Sequence, residues 1–118
     1  MSNSILLNKA KSFAVKIVPL CQKIKDSKKD IVLSNQLLKS GTSIGANIYE
    51  SKYAQSTADF ISKMQIALKE CYETEYWLDL LFETGFISSE EHKPLHSDCG
   101  AIRRMLISSI NTTKEKLS

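Results

Sequence analysis

Two histidines and three glutamates are the side chains of this sequence whose spacing best suits a metal ion. His92 and His96 stand four residues apart, which places both imidazoles on one side of a helix. Cys99 follows them and could add a third ligand. However, Pro94 lies between the histidines and no glutamate directly follows His92. We therefore interpret them as surface histidines near the start of a helix.

The glutamates Glu70, Glu73 and Glu75 raise the question of a carboxylate-bridged di-metal site. A helical bundle of that type also needs Glu-x-x-His pairs on two helices, and the sequence contains none. Lys69 and Glu73 stand four apart, which is typical of a solvated helix face. No serine or cysteine occurs in a motif of nucleophilic catalysis. We therefore predict no metal, no cofactor and no enzymatic activity.

Lysines at seven-residue intervals are the best candidates for binding a polyanion. Residues 1–58 carry a formal charge of +6 and residues 59–118 a charge of −3. This asymmetry indicates either a basic face for phosphate groups or two helical hairpins that attract each other, within or between subunits. We predict phosphate contacts at these residues, the two arginines being secondary: Lys9, Lys16, Lys23, Lys28, Lys29, Lys39, Arg103 and Arg104.

A stretch of small residues, SGTSIGANIYES at Ser40–Ser51, could be a ligand-binding loop or a helix that packs closely. No Lys-Ser or Lys-Thr follows at the spacing of a phosphate-binding loop, and Ile44 and Ile48 have helical spacing. We therefore predict a helix whose glycines allow a neighbouring helix to approach. We assign the following residues to helix packing or an oligomer interface: Gly41, Ser43, Gly45, Asn47, Tyr76 and Trp77. For the aromatic residues, stacking on single-stranded bases is the alternative.

Four amphipathic segments must position these side chains. Apolar residues recur three or four apart in each segment, which is the pattern of a helix with one buried stripe. Ser56 and Ser88 stand three residues before an acidic residue and predict helix starts, and Gly85 predicts a helix end. The predicted helices are Ile5–Lys25 with a kink at Pro19, Asp30–Tyr53, a helix of roughly 25 residues between the boundary at Ala54–Thr57 and Gly85, and Ser89–Thr113.

The composition fits this interpretation. The chain has 118 residues, 42% of them hydrophobic, with only two prolines and four glycines. We predict one all-α domain, residues 1–118, with the topology of an up-down-up-down antiparallel four-helix bundle. The three cysteines form no CxxC pair, which favours a reducing cytoplasm. We expect neither a signal peptide nor a membrane span.

Two long motifs resemble those of a known family. The segment VLSNQLLKSGTSIGANIYES, Val32–Ser51, is similar to the signature of small proteins encoded within intervening sequences of bacterial 23S ribosomal RNA genes. DFISKMQIALKECYETEYWLDLLFETGFI, Asp59–Ile87, resembles the second signature of that family. SFAVKIVPL, Ser12–Leu20, fits its opening helix, so the resemblance covers nearly the whole chain.

The resemblance implies a left-handed four-helix bundle that assembles into a ring-shaped homopentamer without established enzymatic activity. A related branch, the accessory proteins of diversity-generating retroelements, comprises basic pentameric barrels that bind a reverse transcriptase and nucleic acid. Two hypotheses follow for this chain. It is a cytoplasmic, non-enzymatic oligomer that binds RNA or other nucleic acid through a basic face, or it is a protein-interaction scaffold that binds no nucleic acid.

Overall fold

Four long helices make up nearly all of the described chain. The computed structural model describes residues 2–117, and the helices are α1 (Ser2–Lys28), α2 (Val32–Ser51), α3 (Thr57–Glu83) and α4 (Ser89–Leu117). The connections between them span only three to five residues. Because such short connections cannot run back along helices of about 30–44 Å, successive helices must be antiparallel.

The four helices close into a ring. Each helix packs on its neighbours in sequence, α4 packs on α1, and diagonal pairs make no close backbone contact within the described residues. The bundle measures 50 × 22 × 19 Å. This arrangement confirms the predicted all-α four-helix bundle. None of these helices combines the length and the apolar character needed to cross a bilayer, among the residues described.

The predicted apolar stripes form the core. On α1, for example, Phe13, Ile17 and Ile24 are almost completely buried at helical spacing. The largest buried side chains of the other helices belong to the same hydrophobic core. They are Leu37, Ile44, Ile48, Met64, Leu78, Leu81, Ile102 and Leu106.

Side-chain and backbone caps define the helix ends. Ser56 Oγ accepts the Asp59 backbone N–H at 3.0 Å at the start of α3. Before α4, Ser88 and Glu91 exchange two hydrogen bonds, 2.8 Å and 3.1 Å long, which is a complete capping box. Gly85 has a φ of 80° and follows the last turn of α3. Its N–H donates to the Phe82 carbonyl at 3.1 Å, which confirms the predicted C-terminal cap.

The connection between α1 and α2 uses a lysine where a glycine is more usual. Lys29 has a φ of 56°, in the left-handed region, and α1 ends at the residue before it. The Asp30 carboxylate then accepts the Leu33 N–H at 2.7 Å. Asp30 therefore caps the start of α2, as the sequence predicts, although the helix itself begins at Val32.

The helix bounds differ from the predicted ones by a few residues. α1 extends beyond both predicted ends, and α4 continues to Leu117, because backbone hydrogen bonding persists where the apolar stripe has ended. α2 ends at Ser51 because the following N–H groups bond three residues back instead of four, which tightens the chain into a turn. Pro19 and Pro94 lie inside helices that continue through them.

Candidate nucleic-acid interface

The predicted lysine row lies on α1 beside α4. Lys9, Lys16 and Lys23 are exposed, while Phe13 and Ile17 on the same helix are buried. Residues seven apart on a helix are separated by about 10.5 Å along its axis. The row is therefore a line of three ammonium groups about 21 Å long, parallel to the groove between α1 and α4.

Two of these lysines form ion pairs with α4. Lys16 Nζ lies 3.1 Å from Asp98 Oδ2, and Lys23 Nζ lies 2.6 Å from Glu91 Oε2. The hydrogen bond from Lys23, with that from the Ser88 backbone N–H, holds the pKa of Glu91 below its usual value. Both lysines stay largely exposed, 57% and 65%, so that each pair contributes at most about 1 kcal/mol. A polyanion could therefore displace these carboxylates.

Lys9 differs from the other two lysines of the row. Its ammonium group forms no ion pair with any carboxylate of residues 2–117. It borders a groove of about 160 Å³ between α1 and α4. The other residues that line this groove are Ser12, Phe13, Lys16, Asp98, Ala101 and Ile102.

The remaining predicted cations do not all join this row. Lys28 is the last residue of α1 and Lys29 follows it. Because Lys28 comes five residues after Lys23, it lies about 140° around the helix from the row. Lys39, on α2, is close enough to Glu70 of α3 to affect that carboxyl, whose pKa burial raises. Lys39 therefore belongs to the α2–α3 side of the bundle. The predicted set divides between at least two sides.

The two arginines lie on the side of α4 that faces α3. Arg103 Nε donates to Glu75 Oε2 at 2.8 Å, and its guanidinium lies 5.5 Å from the centre of the Tyr72 ring. This hydrogen bond raises the pKa of Arg103. Arg104 is exposed on the same helix. Because Arg103 already forms a half-buried ion pair with Glu75, it is a poorer phosphate ligand than the lysines.

The small residues of α2 face α1. A Cβ added to Gly41 would lie 3.0 Å from Ile17 Cγ2, and one added to Gly45 would lie 3.6 Å from Ala10. Ser43 and Asn47 use their polar groups within α2, since Ser43 Oγ donates to the Lys39 carbonyl and Asn47 Nδ2 to that of Ser43. This stretch therefore packs helix on helix inside one chain.

The two aromatic residues of α3 that were assigned to packing differ in their burial. Trp77 packs against the core, and its Nε1 donates to Glu73 Oε2 at 3.0 Å. Tyr76 is exposed and contacts Trp77 edge to face, with the ring centres 5.0 Å apart. Glu73 and Glu75 thus bond to different partners, Trp77 and Arg103, and do not converge on a common point.

An apolar groove of about 360 Å³ runs between α1 and α2 on the outer surface. Leu7, Ala14, Ala46 and Tyr49 supply its apolar lining. Lys11 borders it, and Val18, about one helical turn beyond Ala14 along α1, is half exposed. This groove is available to a protein partner or to another copy of the chain.

Sequence reasoning missed the acidic partners on α4 and one cluster on α3 and α4. Asp98 and Glu91 meet the lysine row only because of the register between α1 and α4, which no pattern within one helix reveals. Similarly, Asp79 of α3 lies beside His92 and His96 of α4, and their ligand atoms are within 4.8 Å of one another. The four-residue spacing of the histidines was the only signal in the sequence.

Comparisons with known proteins agree with the resemblance of the motifs. A family model described as 23S rRNA-intervening sequence protein matches residues 2–108. A crystal structure from Bacteroides thetaiotaomicron VPI-5482, described as a protein with unknown function from the S23 ribosomal protein family, is 48% identical. It superposes with a TM-score of 0.91 over 94% of this chain and 99% of its own. Neither description names an enzymatic activity. No curated protein matches the sequence.

Proposed function

The chain belongs to the 23S rRNA-intervening sequence protein family, and from this premise we propose that it is a non-enzymatic homopentamer of the cytoplasm that binds RNA or other nucleic acid. The proposed contact surface is the lysine row, Lys9, Lys16 and Lys23, with Lys28 and Lys29, where α1 ends, as further contacts. This surface would bind a phosphate backbone without catalysing a reaction on it.

The regular spacing of the lysine row supports this proposal most directly. Lysines about 10.5 Å apart in a row about 21 Å long can meet several phosphates of a nucleic acid that lies along α1, because a duplex carries one negative charge per about 1.7 Å of its axis. Lys16 and Lys23 are paired with Asp98 and Glu91, and Glu90 borders the same groove, so the positive excess of this surface comes from Lys9 and from Lys28 and Lys29 where α1 ends. Such contacts are independent of base sequence.

Assembly would strengthen a surface that is weak in one chain. In a pentamer, five copies of the row act on one nucleic acid, and each contact after the first is intramolecular. Each phosphate contact also releases counterions, so the affinity depends steeply on salt. We therefore expect an affinity that comes from many modest contacts.

Titration of nuclease-treated protein into labelled RNA and duplex DNA tests the proposal. Fluorescence anisotropy is recorded from about 50 to 300 mM salt, and light scattering gives the oligomer mass. We expect binding that weakens steeply with salt. Changing Lys9, Lys16 and Lys23 to Gln should weaken it and reduce the slope of log K against log salt by about 0.7–0.9 per lost contact. Glutamine is preferred to glutamate, which would face Asp98 and Glu91 and strain the bundle.

A matched variant distinguishes an effect of the position of the lysines from an effect of the total charge of the protein. Changing Lys69, Lys114 and Lys116 to Gln removes the same charge from positions on α3 and α4, and we expect it to affect binding much less. Asp98→Asn should tighten binding because it releases Lys16. Equal losses for the two lysine triplets, or binding unchanged by salt, would contradict the assignment.

An interaction scaffold is the second candidate function, and the α1–α2 groove supports it. The groove, with its half-exposed lining residue Tyr49 and the half-exposed Val18 next to it, is an apolar surface that a folded protein could cover. In this case the basic row would only attract acidic surfaces. A confirmed oligomer that binds no nucleic acid at about 50 mM salt would favour this function. If the Tyr49→Glu variant keeps the oligomer mass of the wild type, a pull-down with both baits then identifies a partner that needs the groove.

A further inference from the structure

The structure brings together three metal-ligating side chains that are not part of the basic surface. His92 and His96 stand one turn apart on α4, and Asp79 lies on the neighbouring α3. His92 Nε2 lies 2.8 Å from Asp79 Oδ1, and His96 Nε2 lies 3.5 Å from the same oxygen. We infer that these three residues form a binding site for a first-row divalent transition ion of the zinc type.

The distances fit such an ion closely. Ligand atoms about 2.0–2.1 Å from a tetrahedral zinc ion are separated from each other by about 3.3 Å. The three ligand atoms already lie within 4.8 Å of one another, and the two histidine-to-carboxylate distances lie on either side of that separation. Small side-chain rotations, without movement of the helices, would admit the ion.

The helices hold the ligands in place. α4 continues as a helix through Pro94, so the proline between the histidines does not separate their imidazoles. The ring of His92 stacks on Phe82, with the ring centres 4.6 Å apart and the planes 20° from parallel. Its side chain is only 15% exposed. One imidazole is thus preorganised, and an ion would recruit the more exposed Asp79 and His96.

The donor set selects the class of metal. Two imidazoles and one carboxylate suit zinc, nickel, cobalt and copper, whereas calcium and magnesium prefer sites made entirely of oxygen ligands. Three protein ligands leave a fourth position of a tetrahedral ion open. Asp79 and His96 are 46% and 38% exposed, so that this position faces solvent. Water or a donor from another molecule would occupy it.

An ion at this site would connect the two helices next to their turn. Asp79 precedes Gly85 by six residues, and His92 follows it by seven. A bound ion stabilises the folded chain by mass action. Zinc should therefore raise the melting temperature, an effect that requires no knowledge of the biological role.

Calorimetric titration of tag-free protein, stripped with chelator and reduced, tests the site. We expect one zinc ion per chain with a micromolar or lower Kd, and no comparable binding of magnesium or calcium. The cobalt form should show a visible spectrum without thiolate charge transfer, because Cys21, Cys71 and Cys99 are buried elsewhere. Binding of magnesium as tight as that of zinc, or a thiolate spectrum, would overturn the inference.

Single substitutions decide which side chains bind. Asp79→Asn and His96→Gln should each weaken zinc binding at least about tenfold, judging from the effects of lesser changes around metal sites. His96 is the safer histidine to replace, because His92 packs on Phe82. Asp98→Asn, on the side of α4 that faces α1, should leave zinc binding unchanged. Zinc binding that survives either of the first two changes, or no binding at about 100 µM zinc, would refute the three-ligand site.

Discussion

Gly41 and Gly45 differ in the space around them, although they look equivalent in the sequence. A methyl group at Gly41 would approach the Ile17 side chain to 3.0 Å, whereas one at Gly45 would lie 3.6 Å from Ala10. Ile17 is fully buried and β-branched, so it cannot turn away easily. Only the first glycine is therefore required by the packing.

We expect Gly41→Ala to lower the free energy of unfolding by about 1–2 kcal/mol, because overpacking exceeds the gain in helix propensity. Gly45→Ala is the matched control, and it should be neutral or stabilising by up to about 1 kcal/mol. Denaturant unfolding at a fixed subunit concentration measures both. Equal effects of the two changes would show that α1 does not approach α2 as described.

At this scale the sequence predicts residue types better than partners. The sequence shows the spacing of the lysines and of the histidines. However, each of these groups contacts a carboxylate on another helix, Asp98 for the lysines and Asp79 for the histidines, which the sequence does not show. These contacts depend on the rotation and register of packed helices. A single sequence shows which face of a helix is apolar, but not which residue of a neighbour lies opposite a polar one.

Individual helices follow their local signals closely. The Ser88 and Glu91 capping box and the Gly85 cap were both predicted and are both present. The signals failed at the polar ends of α1 and α4, where exposed residues continue the helix without adding to its stripe. Caps are local chemistry and can be predicted, whereas fraying depends on small free-energy differences.

Glu91 gives the start of α4 a dependence on pH. Its pKa lies below its usual value of 4.5, chiefly because Lys23 donates a hydrogen bond to its carboxylate. A depressed pKa adds stability above the unfolded pKa, and this stability is lost as the pH falls through the folded value. We expect Glu91→Gln to cost about 0.5–1 kcal/mol at pH 7 and almost nothing at about pH 3.

Urea unfolding of wild type and variant at the two pH values checks this expectation. Glutamine retains an oxygen for the Ser88 N–H, so the change removes mainly charge. Glu90→Gln, in the same first turn but exposed, controls for the helix dipole. A loss that persists at the acidic pH would show that the ion pair with Lys23 is not its source.

The whole molecule exposes more apolar surface than its own fold requires, and this supports assembly. Tyr49 lines the α1–α2 groove, Val18 lies about one turn beyond Ala14 on α1, and both are at least half exposed. A ring uses two different faces of each subunit, so that covering one face requires a complementary one on the neighbour. The bundle was predictable from periodicity, whereas the number of subunits came only from the family resemblance.

We expect light scattering to give five times the subunit mass of 13.3 kDa. Changing Val18 and Tyr49 to Glu should lower this mass, because charges would be buried in the interface, while helical circular dichroism is retained. Val32→Glu, at an exposed position at the start of α2, should leave the mass unchanged. If the double variant remains a pentamer, the groove does not lie between subunits.

The three buried thiols can report how often the helices of the bundle separate. Cys21 belongs to α1, whereas Cys71 and Cys99 face each other across α3 and α4, where Cys99 Sγ lies 3.5 Å from the Cys71 carbonyl oxygen. Burial raises the pKa of Cys21 to about 11, so that a thiol reagent must wait for an opening before it reacts. The labelling rate of Cys21 therefore measures how often α1 detaches from the rest of the bundle. The labelling rates of Cys71 and Cys99 measure the separation of α3 from α4. One thiol reagent, with the products followed by mass spectrometry, can therefore show whether the helices separate together or one after another.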